Sequence, residues 1–235
     1  MKICAISDTH GYHRDLEIKE CDILCIAGDI SPLNIQGRKQ AFLSWLQNDF
    51  IPWCEELPVK KVFLTPGNHE LALSHCEDTV RKFLEKTKIT ILINELFEYE
   101  DFKIWGTPLS NKFGNWAYMK SPEEELEQFM QMPKDLDILI VHGPPYGACD
   151  ICKQHPYNNY NHLGNPELTI VSELKTPKII LCGHLHTGET HEKLFDNIDV
   201  FNVSVLNEEY KIFREPLYLE IEKEPCYIIK FTINN

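Results

Sequence analysis

Five short polar clusters carry the side chains best able to do chemistry: Asp8-Thr9-His10, Gly28-Asp29, Gly67-Asn68-His69-Glu70, His142-Gly143 and Gly183-His184-Leu185-His186. Aspartate, histidine and asparagine together suit borderline-to-hard cations such as Mn²⁺, Fe or Zn²⁺. No cysteine sits in these clusters, which argues against a structural zinc site of the cysteine type. Asp8, His10, Asp29, Asn68, His142, His184 and His186 make seven candidate ligands. That is too many for one tetrahedral ion and suits two ions that share a bridging carboxylate, with water completing the shells. Two cations roughly 3.5–4 Å apart can clamp a phosphoryl group and bind the water that attacks it. The plain alternative makes these separate loop residues, Asp8 and Asn68 each opening a turn. It must explain all five clusters as unrelated, and is the weaker reading.

Each cluster begins within a few residues of the C-terminal end of a predicted buried strand: Lys2–Ile6, Asp22–Ala27, Lys61–Thr65, Asp137–Val141 and Lys178–Cys182. Ligands gather at that edge of an open α/β sheet, so residues between 8 and 186 can converge on one point. Ile89–Ile93 and Phe102–Trp105 read as further strands. Gly37–Phe50 reads as an amphipathic helix with Phe42, Leu43, Leu46 and Phe50 on one side, and Glu77–Lys86 as another. Ser121-Pro122-Glu123-Glu124 has the N-cap serine, first-turn proline and acids of a helix start; that helix runs to about Gln131. A further helix lies near Pro166–Leu174. After Gly188 the pattern becomes all-β, with strands Val200–Val203, Leu217–Ile221 and Tyr227–Thr232, the last two joined by a turn at Lys223-Glu224-Pro225. An α/β segment followed by a β-rich tail predicts packed sheets covered by helices. The 235 residues form a single expected domain, 1–235.

Composition narrows the partners. The net charge is −13, from 36 acidic and 23 basic residues. That surface repels nucleic-acid backbone and argues against a duplex-tracking protein. A phosphate substrate remains open, because cations gathered by acidic side chains make a locally positive pocket. No apolar run approaches the roughly 20 residues that cross a bilayer. The nine cysteines are odd in number, the chain is long, and its start lacks a secretory signal. Cys4, Cys21, Cys25 and Cys182 sit in apolar runs as small hydrophobes. A reducing, cytoplasmic setting is expected. Nothing bears on the oligomeric state.

The order Asp-x-His, Gly-Asp, Gly-Asn-His-Glu, strand-end histidine, Gly-His-x-His resembles the calcineurin-like metallophosphoesterase superfamily. Within it the chain is most similar to the metallophosphoesterase-domain-containing (MPPED-like) group of small phosphodiesterases. That similarity rests on Asp29-Ile30 after Gly28, on Lys103-Ile104-Trp105-Gly106-Thr107-Pro108, and on Val141-His142-Gly143-Pro144-Pro145-Tyr146-Gly147. The resemblance implies a four-layer α-β-β-α sandwich of two mixed sheets flanked by helices. It implies that Asp8, His10 and His186 hold one metal, that Asn68, His142 and His184 hold the second, and that Asp29 bridges them. Mn²⁺ is the favoured ion. His69 would contact the phosphate, stabilising its charge or protonating the leaving oxygen, while Glu70 would orient a histidine N–H. Some members of the group lack the last histidine and work poorly; with His186 present, a competent site is expected.

The implied activity is hydrolysis of phosphodiester bonds in a small substrate, such as a nucleotide or cyclic nucleotide, by a metal-bridging hydroxide. A phosphomonoesterase or protein phosphatase, a nuclease, and a non-catalytic metal- or nucleotide-binding scaffold are the alternatives. Asn115, Trp116 and Tyr146 are candidate substrate contacts. The first two lie in an aromatic, glycine-containing stretch, Asn111–Tyr118, where a ring can stack on a nucleobase or pack inward. Cys149-x-x-Cys152, with His155 and His162 downstream, reads more readily as two unlinked thiols in a covering loop than as a zinc or redox pair. If exposed, that pair would offer a route to regulation. The segment Gln154–Gly164, with Tyr157 and Tyr160, can line a nucleotide pocket or be an ordinary surface loop. His13, His75 and His191 are expected at the surface or behind the ligands. Glu123-Glu124-Glu125 with Glu127 is expected to be a solvated helix face.

Overall fold

The computed structural model describes residues 1–151, 162–223 and 227–232. Two six-stranded sheets form its centre. In the first, β1 (Lys2–Ile6), β2 (Cys21–Ile26), β3 (Val59–Leu64) and β4 (Ile89–Ile91) run parallel, in that order across the sheet. The tail strand β11 (Leu217–Glu222) pairs antiparallel with β1, and β12 (Ile228–Thr232) closes that edge. In the second, β6 (Phe102–Thr107), β7 (Ile138–Val141), β8 (Ile179–Cys182) and β10 (Ile198–Asn202) run parallel. Antiparallel β5 (Glu95–Tyr99) and β9 (His191–Leu194) flank them.

The parallel strands are apolar on both faces, as sheets covered on both sides must be. Ile3, Ala5, Ile23 and Phe63 meet Ile104, Ile140, Leu181 and Phe201 between the sheets. On the outer face of the first sheet, Cys4, Ile6, Leu24 and Ile26 pack against Phe42, Leu46, Phe50 and Val80. On the outer face of the second, Leu139, Val141 and Ile180 pack against Phe129, Leu168 and Val171. On the first side they come from α1 (Lys39–Trp45), the turn after it and α4 (Glu77–Leu84), joined by Trp53 of α2 (Ile51–Glu56) and Leu73 of α3 (Leu71–Ser74); on the second they come from α5 (Pro122–Met130) and α6 (Pro166–Lys175). The result is the expected α-β-β-α sandwich. No helix of the described residues is long and apolar enough to cross a membrane.

Three local expectations need correction. The helix predicted to stop at Phe50 continues to Glu56 through a wide turn at Leu46–Phe50, where the Ile51 N–H reaches back to Leu46 O. Pro52 explains the turn: it has no N–H, and its ring crowds the carbonyl one turn earlier, so the helix widens locally instead of ending. His13 is fully buried, its ring packed against Trp45, Phe50 and Trp53. Glu125 turns away from its solvated neighbours into the interior, where Asn165 Nδ2 donates to its Oε2 at 2.7 Å. The edge strands β5 and β9 were not anticipated, because their Glu- and Lys-containing sequences lack the apolar run that marks a buried strand. Cys149 is a free, buried thiol, its Sγ 3.4 Å from Val200 O. Cys152, Gln154, His155, Tyr157, Tyr160 and the turn residues Glu224 and Pro225 lie outside the described residues.

Candidate metal centre

The ligand candidates leave the C-terminal ends of β1, β2, β3, β7 and β8, so both sheets contribute to one edge. At that edge the sheets are joined directly: Ser7, after β1, bridges Ser204, after β10, and Ser7 N–H donates to Val203 O at 2.8 Å. The backbone turns sharply to aim the side chains. Asp8, His10, Asp29 and His184 all adopt left-handed conformations, with φ of 54°, 43°, 53° and 68°. Such conformations cost on the order of 1–3 kcal/mol each for residues with a Cβ, and persist where the surroundings over-determine them. The glycines beside the ligands leave room for this crowding. A Cβ on Gly28, whose φ is +99°, would stand 2.8 Å from the Gly67 backbone, and one on Gly183 would overlap the side chains of Ser7 and Asp8.

Ligating atoms of Asp8, His10 and His186 lie within 4.8 Å of one another; so do those of His10, Asp29 and His69, and those of Asp29, His142 and His184. Asp29 Oδ2 is 3.3 Å from His142 Nε2, 3.8 Å from His10 Nε2 and 3.9 Å from His69 Nε2. Asn68 Oδ1 lies 2.8 Å from His142 Nε2, and Asp8 Oδ1 lies 3.4 Å from His186 Nε2. All seven residues expected as ligands therefore converge on one edge, with Asp29 central.

The atoms behind this cluster fix its orientation. His142 Nδ1 donates to Ala27 O at 2.8 Å and His186 Nδ1 to Asn207 O at 2.9 Å, so each ring turns Nε2 inward. A backbone carbonyl on one ring nitrogen is the usual way to set the tautomer of a ligating histidine. Asp8 accepts the His184 N–H at 2.9 and 3.2 Å and the Ser204 hydroxyl at 2.7 Å. The Asp29 carboxylate accepts the His69 N–H at 2.8 Å. Glu70 does not orient a histidine. Its buried carboxylate accepts the backbone N–H groups of Gly67 (2.7 Å), Asp29 (2.8 Å) and Ser31 (2.9 Å), stitching the loop after β3 to the loop after β2. Three backbone donors fill a carboxylate better than one ring N–H, and they lie next to it in a turn that no spacing rule predicts.

Burial opposes ionisation of Asp8 and Asp29, but the neighbouring histidines outweigh it and hold both carboxyls well below their usual range. Burial likewise disfavours the charged forms of His142 and His186, yet Asp29 and Asp8 respectively push them up to about 9. His10 and His184 lack such dominant partners, and burial pulls them down to about 4 and about 3. Burial, then Asp29's charge, pushes Glu70 up to about 7 against the pull of its backbone donors.

His69 and its neighbours form the rim. Its Nδ1 is bonded to Gln36 Oε1. Its ring lies 4.5 Å from that of Trp116 and 4.8 Å, edge-on, from that of His10. Trp116 is thus half-buried against the cluster, while Asn115 beside it is exposed. Phe113, 51% exposed, stands 5.3 Å from the His184 ring. Tyr146 is exposed, its ring 4.9 Å from that of His162, whose Nδ1 bonds Asp150. Tyr210 packs T-shaped against His10 and His186, with ring centroids 5.0 Å and 5.6 Å apart. Phe113 belongs to the aromatic stretch expected to offer a stacking ring; Gln36, Ser204, Asn207 and Tyr210 were not anticipated. Only Ser204 carried a signal, since it follows a strand predicted to end at Val203.

The family model described as calcineurin-like phosphoesterase matches residues 1–188. Human metallophosphoesterase domain-containing protein 1 is 24% identical over 94% of this chain and 71% of its own length. A solved chain superposes with a TM-score of 0.67 at 19% identity, covering 99% of this chain and 98% of that one. The phosphopantetheinyl hydrolase PptH from Mycobacterium tuberculosis superposes with a TM-score of 0.51 at 16% identity, over 89% of this chain and 90% of its own.

Proposed function

Because the chain belongs to the calcineurin-like phosphoesterase family, we propose that it is a dinuclear metal-dependent phosphodiesterase acting on a small substrate such as a nucleotide or cyclic nucleotide. The observation that carries this reading is the position of Asp29, which has ligating atoms in reach of His10 on one side and of His142 and His184 on the other. Asp8, His10 and His186 would hold one ion, Asn68, His142 and His184 the other, and Asp29 would serve both. The residues suit such ions. Both ring nitrogens of His10 are buried without a hydrogen-bond partner, a costly arrangement unless the ring has another use. The mixed oxygen and nitrogen donors favour Mn²⁺, with Fe or Zn²⁺ compatible.

Bound ions supply Lewis acidity toward the phosphoryl group and lower the pKa of water. The chain's own residues do the rest. His69, 15% exposed at its side chain, contacts the phosphoryl group through Nε2 and either steadies its developing charge or protonates the departing oxygen. Donors fixed where charge develops stabilise it without reorganising. The net charge of −13 disfavours duplex nucleic acid, and buried free thiols such as Cys4, Cys25 and Cys182 fit a cytoplasmic setting.

The test is elemental analysis of the purified protein, then turnover of a panel of phosphodiesters, cyclic nucleotides among them, against the matching monoesters with Mn²⁺ supplied. Diesters are expected to be cleaved faster. Faster monoester cleavage would convert the reading to a phosphatase, and no cleavage of either by metal-loaded protein would leave a binding scaffold.

A further inference from the structure

The loop between β2 and α1 brings Gln36 beside His69, though the two are far apart in sequence and neither spacing nor residue type marks Gln36. We propose that Gln36 is a positioning residue: it holds the Nδ1 proton of His69, so that Nε2 is the nitrogen presented to the phosphoester. This rests on the proposed role of His69, and adds a residue to it.

The geometry supports each link. Gln36 Oε1 bonds His69 Nδ1. An amide oxygen only accepts, so Nδ1 carries a hydrogen whether the ring is neutral or cationic. The exchangeable position is then Nε2, and that nitrogen faces Asp29 Oδ2 at 3.9 Å, at the centre of the ligand cluster. Rotation of the ring is blocked as well: Trp116 covers one face and His10 meets it edge-on. Gln36 is itself anchored. Its carbonyl accepts the Ala72 N–H at 2.7 Å, and turns from Ile35 N–H to Pro32 O (3.0 Å) and from Arg38 N–H to Ile35 O (2.8 Å) flank it. Gln36 touches none of the seven proposed ligands in this network, so its loss is expected to disturb His69 without releasing metal.

Without that acceptor the ring can carry its hydrogen on either nitrogen, and only the Nδ1–H form leaves Nε2 free to meet the phosphoester.

The experiment compares wild type, Gln36→Leu and Gln36→Glu as full-length, metal-loaded protein. Zn²⁺-loaded, ¹⁵N-histidine-labelled samples are read by NMR, with His69 assigned from the His69→Gln spectrum, and kinetics and metal content are measured in parallel. Wild type is expected to show the Nδ1–H form at His69. Gln36→Leu should lose that signature and fall roughly 10–100-fold in kcat, the order of loss that misorientation causes, with KM and metal content unchanged. Gln36→Glu keeps an acceptor and should recover both the signature and kcat to within a few-fold. The proposal is overturned if Gln36→Leu keeps the wild-type signature, keeps its kcat, or loses metal. Should wild type cleave no phosphoester, the esterase reading fails, while the NMR comparison still decides whether Gln36 sets the His69 tautomer.

Discussion

Asp29 has one carboxylate and, in the proposed centre, two ions to serve. Its oxygens also accept the His69 backbone N–H, so the same group fixes the main chain that carries the neighbouring ring. Asp29→Ala is expected to abolish turnover and to weaken both metals together; elemental analysis that still finds two ions per chain would refute a shared ligand. His69→Ala should instead leave the metals in place and lower kcat by about 10²–10⁴-fold, the usual contribution of a general acid. Metal loss in that variant would make His69 a ligand, as its distance from Asp29 also permits. Phe113 lies against His184 with half its surface free. Phe113→Ala should raise KM about 2–10-fold for esters carrying a nucleobase and leave purely aliphatic esters unchanged, since a ring contact contributes about 0.5–1.5 kcal/mol. At this scale the sequence revealed the groups that can ligate metal, because aspartate and histidine at strand ends are few and patterned. It hid the groups that hold them. Gln36, Ser204 and Asn207 are common residue types whose partners lie across the fold, and Glu70 works through backbone N–H groups that leave no mark on spacing.

Among the elements, α5 carries a testable liability. Burial lifts the Glu125 carboxyl from its ordinary 4.5 to about 7, so the folded chain prefers the neutral acid and the unfolded chain does not. Folding is therefore favoured below pH 4.5 and progressively penalised as pH rises to about 7, above which the penalty is constant. Glu125→Gln removes the charge and can keep an acceptor for Asn165. It should stabilise by up to about 3 kcal/mol above pH 7 and by little near pH 4.5, checked by denaturant midpoints at both values. Equal gains at the two pH values would show that Glu125 is not held neutral. Elements buried on both faces, such as β1, β2 and β8, were legible as continuous apolar runs. The edge strands β5 and β9 were not, because one side of each faces solvent and their charged residues break the run. The helix read as ending at Phe50, yet packing of Phe50 and Trp53 into the core carries it through Pro52 to Glu56. His13 and Glu125 show the converse: His13 was expected at the surface or behind the ligands and Glu125 on a solvated face, and the tertiary context buried both.

For the molecule as a whole, the proposed ions sit where the two sheets meet, bound by strand ends of both. Ligands that bind only the folded chain stabilise it by mass action, about 2.7 kcal/mol at a hundred times the dissociation constant. Removing metal with a chelator is expected to lower Tm and to speed amide exchange first at Ser7, Ala27 and Gly183, where the sheets converge, with the strand centres following only on global unfolding. Uniform acceleration would place the stabilisation elsewhere. The tail gives the same edge its other support. β10 lies beside β8 in one sheet and β11 beside β1 in the other, while Ser204 seats Asp8 and Asn207 seats His186. A polypeptide halted at residue 188 would therefore contain every proposed ligand and still be unable to assemble them: the stretch that carries the chemistry borrows its rigidity from a stretch that carries none.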